Sequence, residues 1–380
     1  MKTNQLKLPL LFILWLIPPT VMAQYSSATI VNNGDPRTEL DIVIVGDGYT
    51  AGQLTQFRAD AQNLQQFIFS EEPFKEYKRY FNVHVIDVAS VQSGADHPNA
   101  PGDGSCGYYP DFYHTPMPGT CVNTALDSSY GTGSLPHFMS LNYTKLNNIV
   151  VGTLPSTKRD LVLVIVNDLE YGGAGSSFYA MSSLNSGYWT LMTHEIGHTL
   201  AFLGDEWTAP PASTGCNQYG WKPENIETQI NVYPFGPYGP PSTAYVKWGV
   251  WIDPNTPIIT NGDFNPQYQN AVPGVFQGAL GSCLDHYRPT WLSKMRQNNR
   301  PWEQINSEQL VKRFYDFMSL PNASQPVPEN ITVQQGQVEK FGASLPLPLT
   351  HSLIIDWYID GSSVPSGSGQ FFTLKQLCSW

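Results

Sequence analysis

The sequence predicts an α/β domain followed by a short β module, and three observations carry that expectation. Glu39 to Val45 holds Leu40, Ile42, Val43, Ile44 and Val45 in an apolar run that reads as a buried strand. Gln53 to Phe69 then sets Phe57, Ala61, Leu64 and Ile68 at helical spacing, and Phe81 to Val88 alternates Phe81, Val83 and Val85 as a second strand. Strand, helix, strand opens a three-layer α/β domain. Third, the texture past Ser324 changes to short strands and tight turns.

The 380 residues suit one large domain and an appendage, and 41% hydrophobic residues suffice for a sizeable core. Charged residues make up only 13%, while 20 Tyr, 18 Phe, 10 Trp, 32 Gly and 31 Pro favour a loop-rich extracellular domain over a helical bundle. A net charge of −11 without a basic patch argues against nucleic acid as a partner.

In chain order, Met1 to Lys7 is a basic start, Leu8 to Met22 is apolar, and Val21-Met22-Ala23 fits the small-residue rule for cleavage after Ala23. Residues 1–23 are therefore expected to be a secretory signal peptide, with an uncleaved anchor as the alternative. No second apolar stretch is long enough to span a membrane, so the mature chain is expected to be soluble, outside the cell or in the periplasm. The stretch between this leader and the first strand is too short for a folded inhibitory prodomain.

Residues 93–136 form a Gly-, Pro- and Ser-rich segment bracketed in part by Cys106 and Cys121, which read as a local disulfide. Cys216 and Cys283 are candidates for a second bridge, and Cys378 is left over. Leu161 to Val166 is the most strand-like run of the chain. Tyr171-Gly172-Gly173-Ala174-Gly175 follows, either as an edge along which a peptide pairs or as a plain loop. Residues 208–281 are again loop-rich, and Glu303 to Met318 carries Ile305, Leu310, Phe314 and Phe317 as a closing helix. The expected first domain thus spans 24–323. The remainder, 324–380, resembles an immunoglobulin-like β-sandwich but falls short of the roughly 100 residues such a domain needs.

The chemistry concentrates at His194-Glu195-Ile196-Gly197-His198. Residues four apart share one helical face, so both imidazoles can reach one metal ion, with Glu195 placed to meet a water there. A catalytic zinc needs a third protein ligand and an open position. Asp205 is the favoured third ligand, with Glu206 as its rival or as a hydrogen-bond acceptor for a ligand imidazole; Gly204 supplies the turn between helix and acid. Such a zinc ion lowers the pKa of water from ~15.7 towards ~7 and polarises a carbonyl, while Glu195 shuttles the proton to the leaving amine. The plain alternative is a structural helix with two idle histidines.

The stretch from His194 through Leu203-Gly204-Asp205-Glu206 to Trp207 resembles the signature of the IgA-peptidase-like family of secreted zinc metallopeptidases, related to metzincins. Asp41 to Thr50, Glu72 to Tyr77 with Phe81 to Val83, Tyr171 to Gly173, and Tyr287 to Pro289 with Ser293 to Met295 match as well, in order. The resemblance implies a zinc endopeptidase acting on protein or peptide substrates, with a metzincin-like α/β fold, a mixed sheet and an active-site helix. It also implies that Met295 is the methionine of the turn beneath the metal, against a role as ordinary core. Metzincins proper carry glycine seven residues and a third ligand ten residues after the first histidine; Ala201 and Gly204 stand there in this chain, and Trp207 replaces a more usual tyrosine. Tyr287 and Arg288 are candidates to assist an oxyanion or to serve structure. The competing readings are a non-catalytic secreted binding or adhesion protein and a zinc amidase acting on cell-wall peptides.

Overall fold

The computed structural model describes residues 25–98, 121–131, 136–208, 229–234, 240–262, 265–269, 271–318, 323–325, 338–344, 346–354, 356–359, 362–368 and 371–375. The expected leader, Cys106, Cys216 and Cys378 lie outside them.

A mixed six-stranded sheet forms the frame. In chain order its strands are β1 (Ser27–Val31), β2 (Leu40–Asp47), β3 (Phe81–Ile86), β4 (Leu161–Val166), β5 (Gly173–Gly175) and β6 (Tyr179–Ser183). The spatial order is β1-β3-β2-β4-β6-β5. The inner strands β3, β2, β4 and β6 run parallel, and the outer strands β1 and β5 run antiparallel to their neighbours. Parallel strands are covered on both faces, which explains why β2 and β4 read as continuous apolar runs rather than alternating ones.

Each face has its own core. Leu40, Ile42, Ile44, Leu161, Leu163 and Ile165 pack with α1 (Leu54–Ile68), α3 (Tyr188–Ala201) and α4 (Gln304–Phe317). Val43, Val45, Val164 and Val166 pack on the other side against Leu146, Ile149 and Val150 of α2 (Tyr143–Thr153). The expected three layers are present. The elements read from periodicity end within about two residues of their expected bounds, the scatter usual where helix and strand ends fray. Helix α4 starts where Glu303 caps it, its carboxylate accepting the N–H groups of Ile305 at 2.9 Å and Asn306 at 2.7 Å.

Strand β1, helix α2 and one small sheet are not legible from periodicity. Strand β1 is exposed along most of its length and so lacks an apolar pattern. Helix α2 is only 11 residues long, with three buried side chains, and begins where Asn142 caps it by accepting from the Lys145 N–H. In the loop-rich region, β7 (Tyr233–Pro234), β8 (Phe276–Ala279) and β9 (Ser282–Arg288) form a small antiparallel sheet in the order β7-β9-β8.

The C-terminal module contains antiparallel sheets: β10 (Ala323–Gln325), β11 (Val338–Ser344) and β14 (Phe371–Lys375) form one, and β12 (Asp356–Ile359) with β13 (Ser362–Ser368) the other. Thr350 and His351 in this part of the chain contact Glu76. That carboxylate accepts from the Thr350 N–H at 2.7 Å and the Thr350 hydroxyl at 2.9 Å, with His351 Nδ1 2.9 Å away.

Candidate active site

Helix α3 carries His194, Glu195 and His198 and lies almost wholly buried against β5 and β6. It begins at Gly187, whose φ of 84° admits the left-handed entry, and ends at Phe202, which adopts a φ of 53°. The sequence places the turn at Gly204, and here the structure differs. The reversal falls two residues earlier, on Phe202, where the Leu203 N–H donates to Gly197 O at 3.1 Å and the Arg313 guanidinium stacks 4.9 Å from the phenyl ring. Gly204 serves close approach instead: a Cβ there would lie 2.5 Å from Gln229 Oε1 and 2.8 Å from Val232 Cγ2.

The two imidazoles are held by carbonyls. His194 Nδ1 lies 3.0 Å from Lys294 O, and His198 Nδ1 lies 2.7 Å from Leu203 O. In a neutral ring Nδ1 must carry the proton to donate to a carbonyl, which leaves each Nε2 atom with a bare lone pair. Those atoms face each other at 3.1 Å, and Asp205 Oδ1 lies 3.1 Å from the first and 3.4 Å from the second. Bare lone pairs and a carboxylate at such spacing repel one another unless a cation sits among them. Donor atoms bonded tetrahedrally to one zinc at ~2.0–2.1 Å are about 3.3 Å apart, so this triangle fits the ion. Asp205 Oδ1 is also buried without a hydrogen-bond donor, as a ligand oxygen would be. Glu195 offers a carboxylate oxygen within 4.8 Å of ligand nitrogens of both histidines, and His194, Glu195 and His198 form a group that could hold a metal ion.

The electrostatics agree. Burial opposes charge on His198, but Asp205 and then Glu195 outweigh it and hold the imidazolium up to about 9. Burial likewise raises the Asp205 carboxyl, and the two imidazoles overcome it, leaving Asp205 well below the usual carboxylate range. Both shifts have the same meaning: this set of donors favours a positive charge in its midst. Burial raises Glu195, the imidazoles oppose this, and Asp205 adds to it.

Glu206 points elsewhere. Fully buried, its carboxylate accepts from Asn231 Nδ2 at 2.9 Å, Asn306 Nδ2 at 2.9 Å and Ser293 Oγ at 2.6 Å. Its N–H donates to Met295 O at 2.8 Å. It therefore ties the chain after α3 to the Ser293–Met295 turn and to α4, and it accepts from neither imidazole. Met295 is fully buried directly under α3, where a Cβ on Gly197 would come within 2.7 Å of its sulfur. Between them, Lys294 is buried with its ammonium on Glu71 Oε1 at 2.9 Å, Thr193 Oγ1 at 3.1 Å and Asn298 O at 3.2 Å.

Strand β5 runs beside the histidines. A Cβ on Gly175 would lie 2.8 Å from His198 Cβ and 3.1 Å from Glu195 Oε2, so only glycine allows strand and helix this close. Gly172 and Ser176 bond inward to β6 through Ser183 N and Tyr179 O, and alternation turns the peptide groups of Gly173 and Gly175 outward. The expected free edge is shorter than the sequence suggests. His137 O and Met139 N already pair with Gly173, leaving Gly175 as the outward rung with no partner among the described residues. The surroundings of Tyr287 and Arg288 are those of structural residues. Both are buried, Tyr287 in a separate core and Arg288 donating to Gln277 O and Gly278 O of β8 while stacking on Trp291.

Glu71, Lys294, Asn231 and Gly175 do not stand out individually in the sequence, although Lys294 and Gly175 fall inside stretches that it marks. Comparison with curated proteins finds no match. The family model described as IgA Peptidase M64 matches residues 28–272, a span that covers the sheet, α3, both histidines and Asp205 and more than half of the chain, and the protein belongs to that peptidase family.

Proposed function

We propose that the protein is a secreted zinc-dependent endopeptidase of metzincin-like fold, with His194, His198 and Asp205 as ligands and Glu195 as general base. The observation that carries this reading is the convergence of two bare Nε2 atoms and an orphaned carboxylate oxygen at 3.1 to 3.4 Å, with Glu195 beside them. A bound zinc ion supplies a Lewis acid that acidifies water and polarises the scissile carbonyl. Glu195 accepts the proton from the attacking water and delivers it to the leaving amine, a role suited to a carboxylate whose affinity for protons burial has raised. The Lys294 and Leu203 carbonyls keep both imidazoles in the ligand tautomer. Gly175 offers one N–H and one C=O to an extended peptide backbone next to Glu195.

Secretion is supported by the leader pattern of residues 1–23 and by a cysteine pattern suited to disulfides, which belong to an oxidising compartment. No helix among the described residues is long and apolar enough to cross a membrane. Residues 324–380 form, in this reading, part of an immunoglobulin-like module.

The test is cleavage of denatured casein by the purified chain, with and without a zinc chelator, beside Glu195→Gln. Chelator-sensitive cleavage that the variant lacks is expected. A folded, zinc-loaded chain that cuts no protein would overturn the endopeptidase reading in favour of a binding protein.

A further inference from the structure

A cavity of about 370 Å³ opens at the start of α3. It lies where three site-building segments meet: Tyr171 just before β5, Thr190 and Leu191 in the turn before His194, and Gln297 and Asn298 just after Met295. We propose that this cavity takes the side chain of one substrate residue flanking the scissile bond and that it selects a carboxamide, glutamine or asparagine. The proposal rests on the peptidase reading above and adds the substrate preference.

Position comes first. Strand β5 runs alongside α3, with Gly173 near Leu191 and Gly175 near Glu195 and His198. His137 to Met139 occupy the Gly173 end of the edge, so a peptide backbone pairs at Gly175 and cannot continue pairing past it in that direction. Beyond the metal the peptide must leave the sheet edge, and the cavity beside Leu191 is there to receive the next side chain.

Chemistry decides the occupant. None of the residues lining the cavity is charged. A lysine or arginine placed there gives up hydration without a counter-charge, which disfavours it. The amides are partly committed, in a pattern that defines what remains. Asn185 Nδ2 donates to Leu169 O at 2.9 Å, and Asn298 Nδ2 donates to Tyr171 Oη at 3.1 Å, leaving the Oδ1 of each as an acceptor. Gln297 Oε1 accepts from Arg300 Nε at 3.0 Å, leaving its Nε2 as a donor. Two acceptors and one donor match the NH₂ and C=O of a carboxamide. A carboxylate brings acceptors alone and meets the asparagine oxygens unfavourably, and an aliphatic chain makes hydrogen bonds to none of the three groups.

The experiment digests a denatured protein mixture with the zinc-loaded chain and reads the new termini by mass spectrometry. Chelator-treated chain is the blank, and matched peptides carrying Gln, Glu or Leu at the selected position follow. Glutamine or asparagine enriched at one position beside the cut is expected, with kcat/KM about tenfold or more above the Glu and Leu peptides. Asn298→Asp, nearly isosteric, should move the preference towards lysine or arginine. Gln297→Glu should do the same and serves as the second variant if the first unfolds. Chelator-sensitive cleavage without carboxamide preference, or with a preference that neither folded variant changes, overturns this assignment and leaves the peptidase reading intact. Absence of chelator-sensitive cleavage by the parent chain overturns both.

Discussion

The Lys294 carbonyl accepts the Nδ1–H of His194 at 3.0 Å across 100 residues of sequence, while the ammonium of the same lysine meets Glu71. One residue therefore orients the His194 imidazole with its backbone and anchors that backbone with its side chain. The ammonium is fully buried; burial lowers its proton affinity, and Glu71 offsets part of that loss. The ion pair is thus the reason a lysine can occupy the turn beneath α3.

Lys294→Met and Glu71→Gln test this arrangement from its two ends. Glu71→Gln leaves a buried ammonium without its counter-charge and should cost about 2–3 kcal/mol in unfolding free energy. Lys294→Met frees the turn, and zinc affinity should fall about 10- to 100-fold as the His194 orientation loosens. Denaturant unfolding and competitive zinc titration read the two effects. Unchanged zinc affinity in a folded Lys294→Met chain would remove the lysine side chain from the support of the site.

How much of this is legible in the sequence depends on how local each relationship is. His194, Glu195 and His198 are readable because helical periodicity alone places them on α3, and Asp205 because it follows at short range. The Lys294–Glu71 pair joins residues 223 apart, and no local pattern signals it. The left-handed residue after α3 is expected to be glycine, since glycine carries no Cβ penalty. Phe202 takes that conformation because Arg313 stacks on its ring and donates to Leu200 O, contacts supplied by α4. The shortened edge of β5 has the same origin: His137 to Met139 pair with Gly173 from outside the regular strands.

Gly175→Val should abolish most activity while leaving the fold intact. The added Cβ would meet His198 Cβ at 2.8 Å and Glu195 O at 2.9 Å, so β5 must move away from α3. A displacement of this size near reacting groups costs on the order of 100-fold in rate. Steady-state kinetics on a casein-derived peptide, with circular dichroism as the control, should show kcat/KM reduced by that order. Parent-like kinetics would mean that the strand and helix are not held at this spacing in solution.

Gly197→Ala probes the packing of α3 on the methionine turn. Alanine is the better helix former by about 1 kcal/mol, which alone predicts stabilisation. Here the methyl group would lie 2.7 Å from Met295 Sδ and 2.8 Å from the Trp302 ring. Met295 is fully buried and has no solvent to yield into. Overpacking should win, with a net loss of about 1–2 kcal/mol and weaker zinc binding. A rise in melting temperature would instead show that the turn gives way readily.

Asp160 supplies a pH test that does not involve the histidine pair. Its carboxylate accepts the Asp41 N–H at 2.8 Å beneath the N-terminal end of β2. Burial pushes its carboxyl up to about 7, the Asp41 N–H opposes this, and the Asp41 charge adds to it. Starting from the ordinary value of 3.8, the folded chain holds a proton between about 4 and 7 that the unfolded chain has already released. Stability contributed by this group is therefore present at low pH, declines as pH rises through that window and is lost above it. Asp160→Asn keeps an acceptor for the Asp41 N–H and removes the charge. The variant should match the parent near pH 4 and exceed it at pH 8 by on the order of 1 kcal/mol, or a few degrees in melting temperature. Melting curves of both chains from pH 4 to 8 decide the matter. A constant difference across that range would mean that Asp160 titrates in the folded chain as it does in the unfolded one.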